Sequence, residues 1–428
     1  MSRERTAPTS PGPCAVLLPL ALALALALAL AGVLPGQAAE AHAKTESYAL
    51  LADTHLGLPG NPVYDDVEKA LLWAADLRNL QAICVAGDVT DRGDAIAFSE
   101  WEFLCDSIVE DAVRIQALGD HDTGKGGEYL DVDSTLTAAN GLRHFREVNG
   151  GAITSYHEFG HVNVMTIGGV RARGYSVITD GMLAELNRRL RKTVRQGKIA
   201  LVICHYPYYS YGLNKRSELM GVLRSYPNVI YVSGDKHIYA SYQQCQLVAP
   251  SSSTTPFARR GFDRSTKYAF RSIGVDACST YRSGSYVFAD SMSVTDAGTV
   301  RLKKWNVSKG VVEKAWVFGQ SRSSVNVRCA VSGASSAKGA SATFAFKVAF
   351  SDGGTYGGVK NGSTFSLKAG SARKLAGIPA GVLVKVKAVK VPAGWSKPAT
   401  CTTEVGLSSQ TLRMTSSRAS GTSLRAAG

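Results

Sequence analysis

The chain has 428 residues, room for two or three domains, and its 45% hydrophobic content excludes a globally disordered polymer. Its formal net charge of +14 is uneven: residues 321–428 carry 15 Lys and Arg against only Asp352 and Glu404, which leaves +1 for residues 1–320. The basic character therefore belongs almost entirely to the C-terminal quarter of the chain.

The first predicted element is a leader. Arg3 and Arg5 precede an apolar run from Cys14 to Leu34, Pro35 breaks it, and Gly36, Ala38 and Ala39 follow. This order predicts a secretory signal over residues 1–39 and an exported protein, secreted or associated with the cell surface. The run is also long enough to span a bilayer, so an uncleaved N-terminal membrane anchor is the alternative. Removal of the signal leaves seven cysteines, an odd number that argues against a full disulfide framework. Cys84 and Cys204 lie inside apolar runs and read as core residues. Cys329 and Cys401 are expected to form one bridge in an oxidising compartment.

Strands and helices then alternate. SYALLAD reads as a strand, residues 65–80 as a helix with Val67, Ala70, Leu71, Ala74 and Leu77 on one face, and AICVAGD and RIQALGDHD as two more strands. ITSYHEFGHVNVMTIGG reads as a hairpin turning at Gly160. Residues 181–196 form an amphipathic helix, followed by the strands KIALVICHYP and NVIYVSGDKH. Residues 251–276 are polar and without a period. Residues 285–318 form successive strands with turns at 295–298 and 308–310. Alternating strands and helices with a β-rich end predict a sheet-based α/β core over 44–318. A linker near 320–324 separates it from an all-β segment, 325–405, in which ATFAFKVAF, STFSLKAG and GVLVKVKAVKV alternate with period two. Residues 407–428, rich in Ser, Thr and Arg, are predicted to be disordered.

The positions of His and Asp carry the chemistry. Asp53 and His55 follow the first strand, Asp88 the second, Asp120 and His121 the third; His205 ends the strand LVICH, and Asp235 and His237 follow NVIYVSG. Ligands of open α/β sheets gather at the carboxyl ends of strands. Oxygen and imidazole donors from several such ends can hold a pair of metal ions. A single strand-end Asp is more often a cap or turn residue; five strand ends in this order point to a metal site.

The ordered set D-x-H, G-D-x-x-D-R-G, G-D-H-D, H and G-D-x-H resembles that of the calcineurin-like metallophosphoesterases. The resemblance implies a two-sheet β-sandwich flanked by helices, and hydrolysis of phosphate mono- or diesters. It implies a first metal held by Asp53, His55, Asp88 and His237, and a second held by Asp88, Asp120, His205 and Asp235, with Asp88 shared. His121 would assist the leaving oxygen, Asp91 would hold the His121 ring, and Arg92 would contact the phosphoryl group. Asp120 stands where the family usually has Asn, and Asp235 where it usually has His. With four carboxylates the expected cofactors are two divalent ions, with manganese, iron or magnesium favoured over zinc. Lys125 and Lys236 would offset the added negative charge. The same two departures support an alternative: a non-catalytic surface-binding protein on a decayed phosphoesterase scaffold. Tyr206–Tyr211 and Gly124–Thr135 are the loops expected to select the ester.

The segment 325–405, through its F-x-F-x-V, F-x-L-K-x-G and I-P-A-G runs, resembles the small β-sandwich repeats of the collagen-adhesin B type. Its positive charge makes an anionic cell-wall polymer or a lipid surface a possible partner. Nucleic acid is disfavoured, because aromatic residues are sparse.

Overall fold

The computed structural model describes residues 45–57, 63–123, 138–169, 171–172, 175–208, 210, 212–237, 270–280, 284, 286–332 and 341–418. The predicted leader, the segment 124–135 with Lys125, and Tyr209 and Tyr211 lie outside them. Strand β1 (Glu46–Leu51) leads to α1 (Val63–Ala75), β2 (Leu80–Val85), α2 (Ala95–Ile108), β3 (Val113–Gln116) and α3 (Ala138–Val148). The predicted hairpin about Gly160 forms from β4 (Tyr156–Glu158) and β5 (Val162–Thr166), and a two-residue ladder, β6 (Arg171–Ala172) and β7 (Tyr175–Ser176), follows. Next come α4 (Asp180–Arg195), β8 (Ile199–Ile203), α5 (Arg216–Arg224), β9 (Val229–Ser233), β10 (Arg271–Gly274), and the meander β11 (Phe288–Val294), β12 (Thr299–Asn306) and β13 (Val311–Gly319).

These strands make two mixed sheets, in the orders β13-β12-β11-β1-β2-β3 and β10-β9-β8-β5-β4. The period of two in each strand divides its side chains between two cores. Tyr48, Leu50, Ala82 and Cys84 meet Val162, Val164, Leu201 and Ile203 between the sheets. Ala49, Leu51, Ile83 and Val85 face outward against α1 and α2, while Ala200 and Val202 face α4 and α5. Both faces of the central strands are covered, so β1, β8 and β9 are buried along their whole length. Helix α4 shows how the sequence sets this up. Thr179 caps it by accepting from the Met182 N–H at 3.2 Å; Leu183, Leu186, Leu190 and Val194 recur on one face, and Lys192 and Arg195 occupy the last turn. The result is the expected two-sheet sandwich flanked by helices, of mixed α/β class, followed by an all-β region.

A buried ion cluster ties the two sheets together beside β10. Lys304 on β12 is 1% exposed; its Nζ donates to Gly274 O at 2.7 Å and lies 3.0 Å from Asp290 Oδ2 and 3.3 Å from Asp276 Oδ2. Burial pushes Asp290 up from 3.8 to about 7, against the pull of Lys304. The folded state therefore holds this proton more tightly than the unfolded chain does, and the group's contribution to stability is lost as pH rises from about 4 to 7. Lys304→Met removes the buried ammonium that faces both carboxylates. It is expected to cost about 3–5 kcal/mol in chemical denaturation. The loss should be larger at pH 8 than at pH 5, where the carboxyls accept protons.

The all-β region comprises β14 (Arg322–Ser332), β15 (Thr343–Phe350), the short pair β16 (Thr355–Tyr356) and β17 (Val359–Lys360), β18 (Thr364–Lys368), β19 (Ala372–Pro379), β20 (Leu383–Lys390), β21 (Cys401–Glu404) and β22 (Gln410–Ser417). Its sheets, β19-β14-β22 and β18-β15-β20-β21, enclose one core of Val325, Val327, Phe344, Phe346, Val348, Val384, Val386 and Met414 among others. Three expectations change here. Residues 410–417, predicted as disordered, form β22, which pairs in parallel with β14 from Val325↔Gln410 to Ser332↔Ser417. Main-chain pairing makes this strand, and Leu412, Met414 and Ser416 supply a sparse inward set. The expected linker is shorter than 320–324, because β14 begins at Arg322. Cys329 and Cys401 are free thiols: they lie in opposite sheets, Cys329 buried on β14 and Cys401 on the edge strand β21.

The all-β region is seated on the C-terminal end of α4 and its neighbouring turns. Ser351 Oγ donates to Arg195 O at 2.5 Å, Gln320 Nε2 to Gly197 O at 2.5 Å, and the Ser321 N–H to Asn228 Oδ1 at 2.6 Å. Gly381, at φ 95°, lies so close that a Cβ there would meet Val194 Cβ at 2.5 Å. Among the described residues no helix is long and apolar enough to cross a membrane.

Candidate metal centre

Strands β1, β2 and β3 run parallel in one sheet, β8 and β9 in the other, so their carboxyl ends open on the same side of the molecule. The chain turns sharply at each end. Among the described residues, seven other than glycine have positive φ, and five of them are Asp53, His55, Asp88, Asp235 and His237, between 46° and 68°. Such conformations cost about 1–3 kcal/mol each and persist where the surroundings impose them. Main-chain bonds impose them here: Asp53 N–H donates to Gly87 O and His55 N–H to Asp88 O, both at 3.1 Å, and Gly234 N–H donates to His205 O at 3.0 Å.

Three groups of donors result among the described residues: His55, Asp91 and His121 form one, and the other two share Asp88. Ligand atoms of Asp53, His55, Asp88 and His237 lie within 4.8 Å of one another, and so do those of Asp88, Asp120 and His205. His237 Nε2 is 2.9 Å from Asp53 Oδ1 and 3.4 Å from His55 Nε2. His205 Nε2 is 3.3 Å from Asp88 Oδ2 and 3.2 Å from Asp120 Oδ1. Asp88, common to these two groups, is 2% exposed; Asp53, His55 and His205 are fully buried. The ring tautomers suit metal binding. His205 Nδ1 donates to Ala86 O at 2.9 Å, and His55 Nδ1 faces Asp91 Oδ1 at 3.2 Å. Each arrangement directs Nε2 into the site.

The remaining predicted residues take different places. Asp91 lies between two rings: His121 Nδ1 is 3.3 Å from its Oδ1 and donates to its main-chain oxygen at 2.8 Å. The His121 main-chain N–H donates to Asp88 Oδ1 at 2.9 Å, and its ring stands edge-on to that of His55 with centroids 4.6 Å apart. Arg92 lies at the rim, 27% exposed, its Nε 3.7 Å from Asp91 Oδ2. Asp235 differs from the expectation. Its carboxylate is not among the group of Asp88, Asp120 and His205; it is paired with the neighbouring Lys236, while its N–H points to Asp53 Oδ2 at 3.2 Å. The positive φ at 235 turns its main chain, and not its carboxylate, toward the centre. Tyr206 and Tyr208 are buried, and Tyr208 packs edge-on against Tyr231 and Phe270, so these two serve the core.

The electrostatics are those of a cation site. Burial opposes ionisation of Asp88, Asp91 and Asp120, yet the imidazoles of His205, His121 and His55 hold all three below the usual carboxylate range. Burial alone would neutralise His205, but Asp88 and Asp120 raise it well above 6.5. For His121, too, burial is outweighed, and hydrogen bonding to Asp91 with the charge of Asp88 raises its pKa. Burial lowers the pKa of His55. The donors are carboxylate oxygens and imidazole nitrogens without a thiolate, a set that fits divalent ions of the harder and borderline kind.

One residue of the centre has no role assigned from sequence. Asp122 is fully buried and clamps two ligand loops, accepting from Thr90 N–H and Gly119 N–H at 2.9 Å each and from Thr90 Oγ1 at 3.2 Å. Its place in Gly-Asp-His-Asp was the only available signal. The glycine before Asp120 is also fixed by proximity, since a Cβ at Gly119 would fall 2.1 Å from Asp88 Oδ1. Gly119→Ala is expected to displace Asp88 and weaken metal binding by about 10–100-fold. Metal titration followed calorimetrically checks this.

The mixed-sheet sandwich with helices on its outer faces carries acid–imidazole clusters at its strand ends, an arrangement suited to binding metal ions. Residues 47–239 match the family model of the calcineurin-like phosphoesterases. Among solved structures, the chain is similar to a purple acid phosphatase from yellow lupin (Lupinus luteus) seeds, at TM-score 0.45 and 11% identity over 65% of this chain and 54% of that one. It is similar to the Haemophilus influenzae NAD nucleotidase at TM-score 0.35 and 10% identity, over 64% and 50% of the two chains. A pilus-presented adhesin matches at TM-score 0.22 and 16% identity, over 30% and 37%. The chain thus spans about half the length of the phosphatase and of the nucleotidase. No curated protein matches it.

Proposed function

We propose that the protein is an exported phosphoric ester hydrolase that works with two divalent metal ions. The observation that carries this reading is the position of Asp88, a buried carboxylate common to two donor groups. Asp53, His55, Asp88 and His237 would hold one ion; Asp88, Asp120 and His205 the other. Metal ions bound there supply Lewis acidity and bring the pKa of water toward neutrality. The side chains do the rest. The paired acid and imidazole donors fix where a phosphoryl group can bind. His121, raised in pKa and oriented by Asp91, delivers a proton to the departing oxygen. Arg92 at the rim contacts a phosphoryl oxygen. Oxygen-rich coordination favours manganese, iron or magnesium over zinc. Export rests on the leader over residues 1–39.

One observation favours a second reading. Asp235 is engaged by Lys236, so the second donor group counts three residues. A scaffold that keeps one ion, or none, and serves in surface binding is compatible with that. Metal-stripped protein reloaded separately with manganese, iron, magnesium and zinc, and assayed on a chromogenic phosphomonoester and a diester, decides between the two. Hydrolysis that returns with metal, at two ions per chain, supports the hydrolase. Bound metal without hydrolysis of either ester overturns it.

A further inference from the structure

We propose that the outer face of the sheet β18-β15-β20-β21 binds a linear polyanion that has phosphate groups in its backbone and carries no stacking bases. Strand alternation puts Phe344, Phe346, Val348, Phe365, Val384 and Val386 inward. The opposite face then carries Lys347, Lys368, Lys385 and Lys387, and a register shift at Ala345/Phe346 brings Lys390 opposite the outward Ala345; all five are exposed. Register concentrates them. Lys347 lies directly across from Lys387, Ala349 from Lys385, and Ala345 from Lys390. Like charges directly opposite each other destabilise a sheet, so folding alone gives no reason for this pairing. Successive outward positions on a strand are about 7 Å apart, which sets the lysines in a row.

Among the described residues no ion pair neutralises them. The two acids of residues 321–428 are used elsewhere: Asp352 accepts from Tyr356 Oη and from the Gly354 N–H, and Glu404, at the far end of the face, pairs with Arg195 of α4 at 3.8 Å. Between the lysines stand small side chains, Ala345, Ala349, Thr364, Ser366 and Thr402. The surface is therefore flat and cationic. It exposes no aromatic ring to stack on a base or enter a bilayer, and Val389 is its only large apolar side chain above one-third exposure. A flexible chain of repeating anionic phosphates matches these features; nucleic acid and membrane each lack a counterpart. The proposal is independent of the hydrolase reading.

The test uses the full chain with immobilised long-chain inorganic polyphosphate, in chelator so that the metal centre takes no part. Binding is expected, with affinity falling steeply as salt rises. The triple variant Lys347→Glu, Lys385→Glu, Lys387→Glu is expected to bind at least tenfold more weakly, with unchanged thermal unfolding and unchanged hydrolysis of a small ester. A control with the same charge change at exposed positions elsewhere, Lys69→Glu, Arg191→Glu, Arg224→Glu, is expected to bind within threefold of the parent. Absence of binding at low salt overturns the proposal, as does equal loss in both variants, which would make it an effect of net charge. Stronger binding to phosphatidylglycerol vesicles than to polyphosphate also overturns it, in favour of a lipid surface.

Discussion

Asp88→Asn is expected to abolish metal-dependent ester hydrolysis, with a loss of at least 10³-fold, while the metal-free fold is retained. Asparagine keeps the size of the side chain and can still accept from the His121 N–H, which bonds to Asp88 Oδ1 at 2.9 Å. It removes the negative charge that faces His205 at 3.3 Å and His55 at 3.8 Å. That charge is the one feature its two donor groups share. If each of the two groups holds an ion, Asp88 would contribute to both, so its loss would weaken both sites together, whereas His237→Ala would touch only the first. Metal analysis by mass spectrometry beside initial rates makes the comparison. Wild-type rates with wild-type metal content in Asp88→Asn would remove Asp88 from the centre of the mechanism.

His121→Ala is expected to lower kcat by about 10²–10⁴-fold, the usual range for a positioned acid, and to leave metal stoichiometry unchanged. The ring is anchored through Nδ1 to Asp91, and it belongs to neither of the donor groups that contain Asp88. Its pKa is raised above 6.5 by Asp91 and Asp88 against the effect of burial. The protonated ring is the form that can donate, so the rate should fall as pH passes upward through its pKa. The alkaline limb should vanish in the variant. Substrates with good leaving groups, which need no proton, should lose least. Equal losses for good and poor leaving groups would exclude the acid role and leave His121 as a positioning residue.

Much of this was legible in the sequence. Period-two strands, the spacing of Leu183, Leu186, Leu190 and Val194, and the Asp and His at five strand ends are local patterns. They follow from the geometry of strand and helix and from the rule that parallel strands bring their carboxyl ends together. The chemistry of the donors followed from the same positions. Strand β22 was not legible, because it is held by main-chain bonds to β14 over 80 residues away and carries only Leu412 and Met414 as apolar inward residues. Nor were the free thiols of Cys329 and Cys401, since their assignment to opposite sheets is a matter of topology.

The sequence by itself determined which side chains could ligate and on which strands they stand, because residue type and period are properties of a few neighbouring positions. Tertiary structure decided how they are shared: that Asp88 serves two groups, that Asp91 orients two rings, that Asp122 clamps the loops, and that Asp235 turns its carboxylate to Lys236. These outcomes depend on distances between segments far apart in the chain. Such distances are fixed only when the two sheets pack, the strained turns at their ends close, and each buried charge finds its partner.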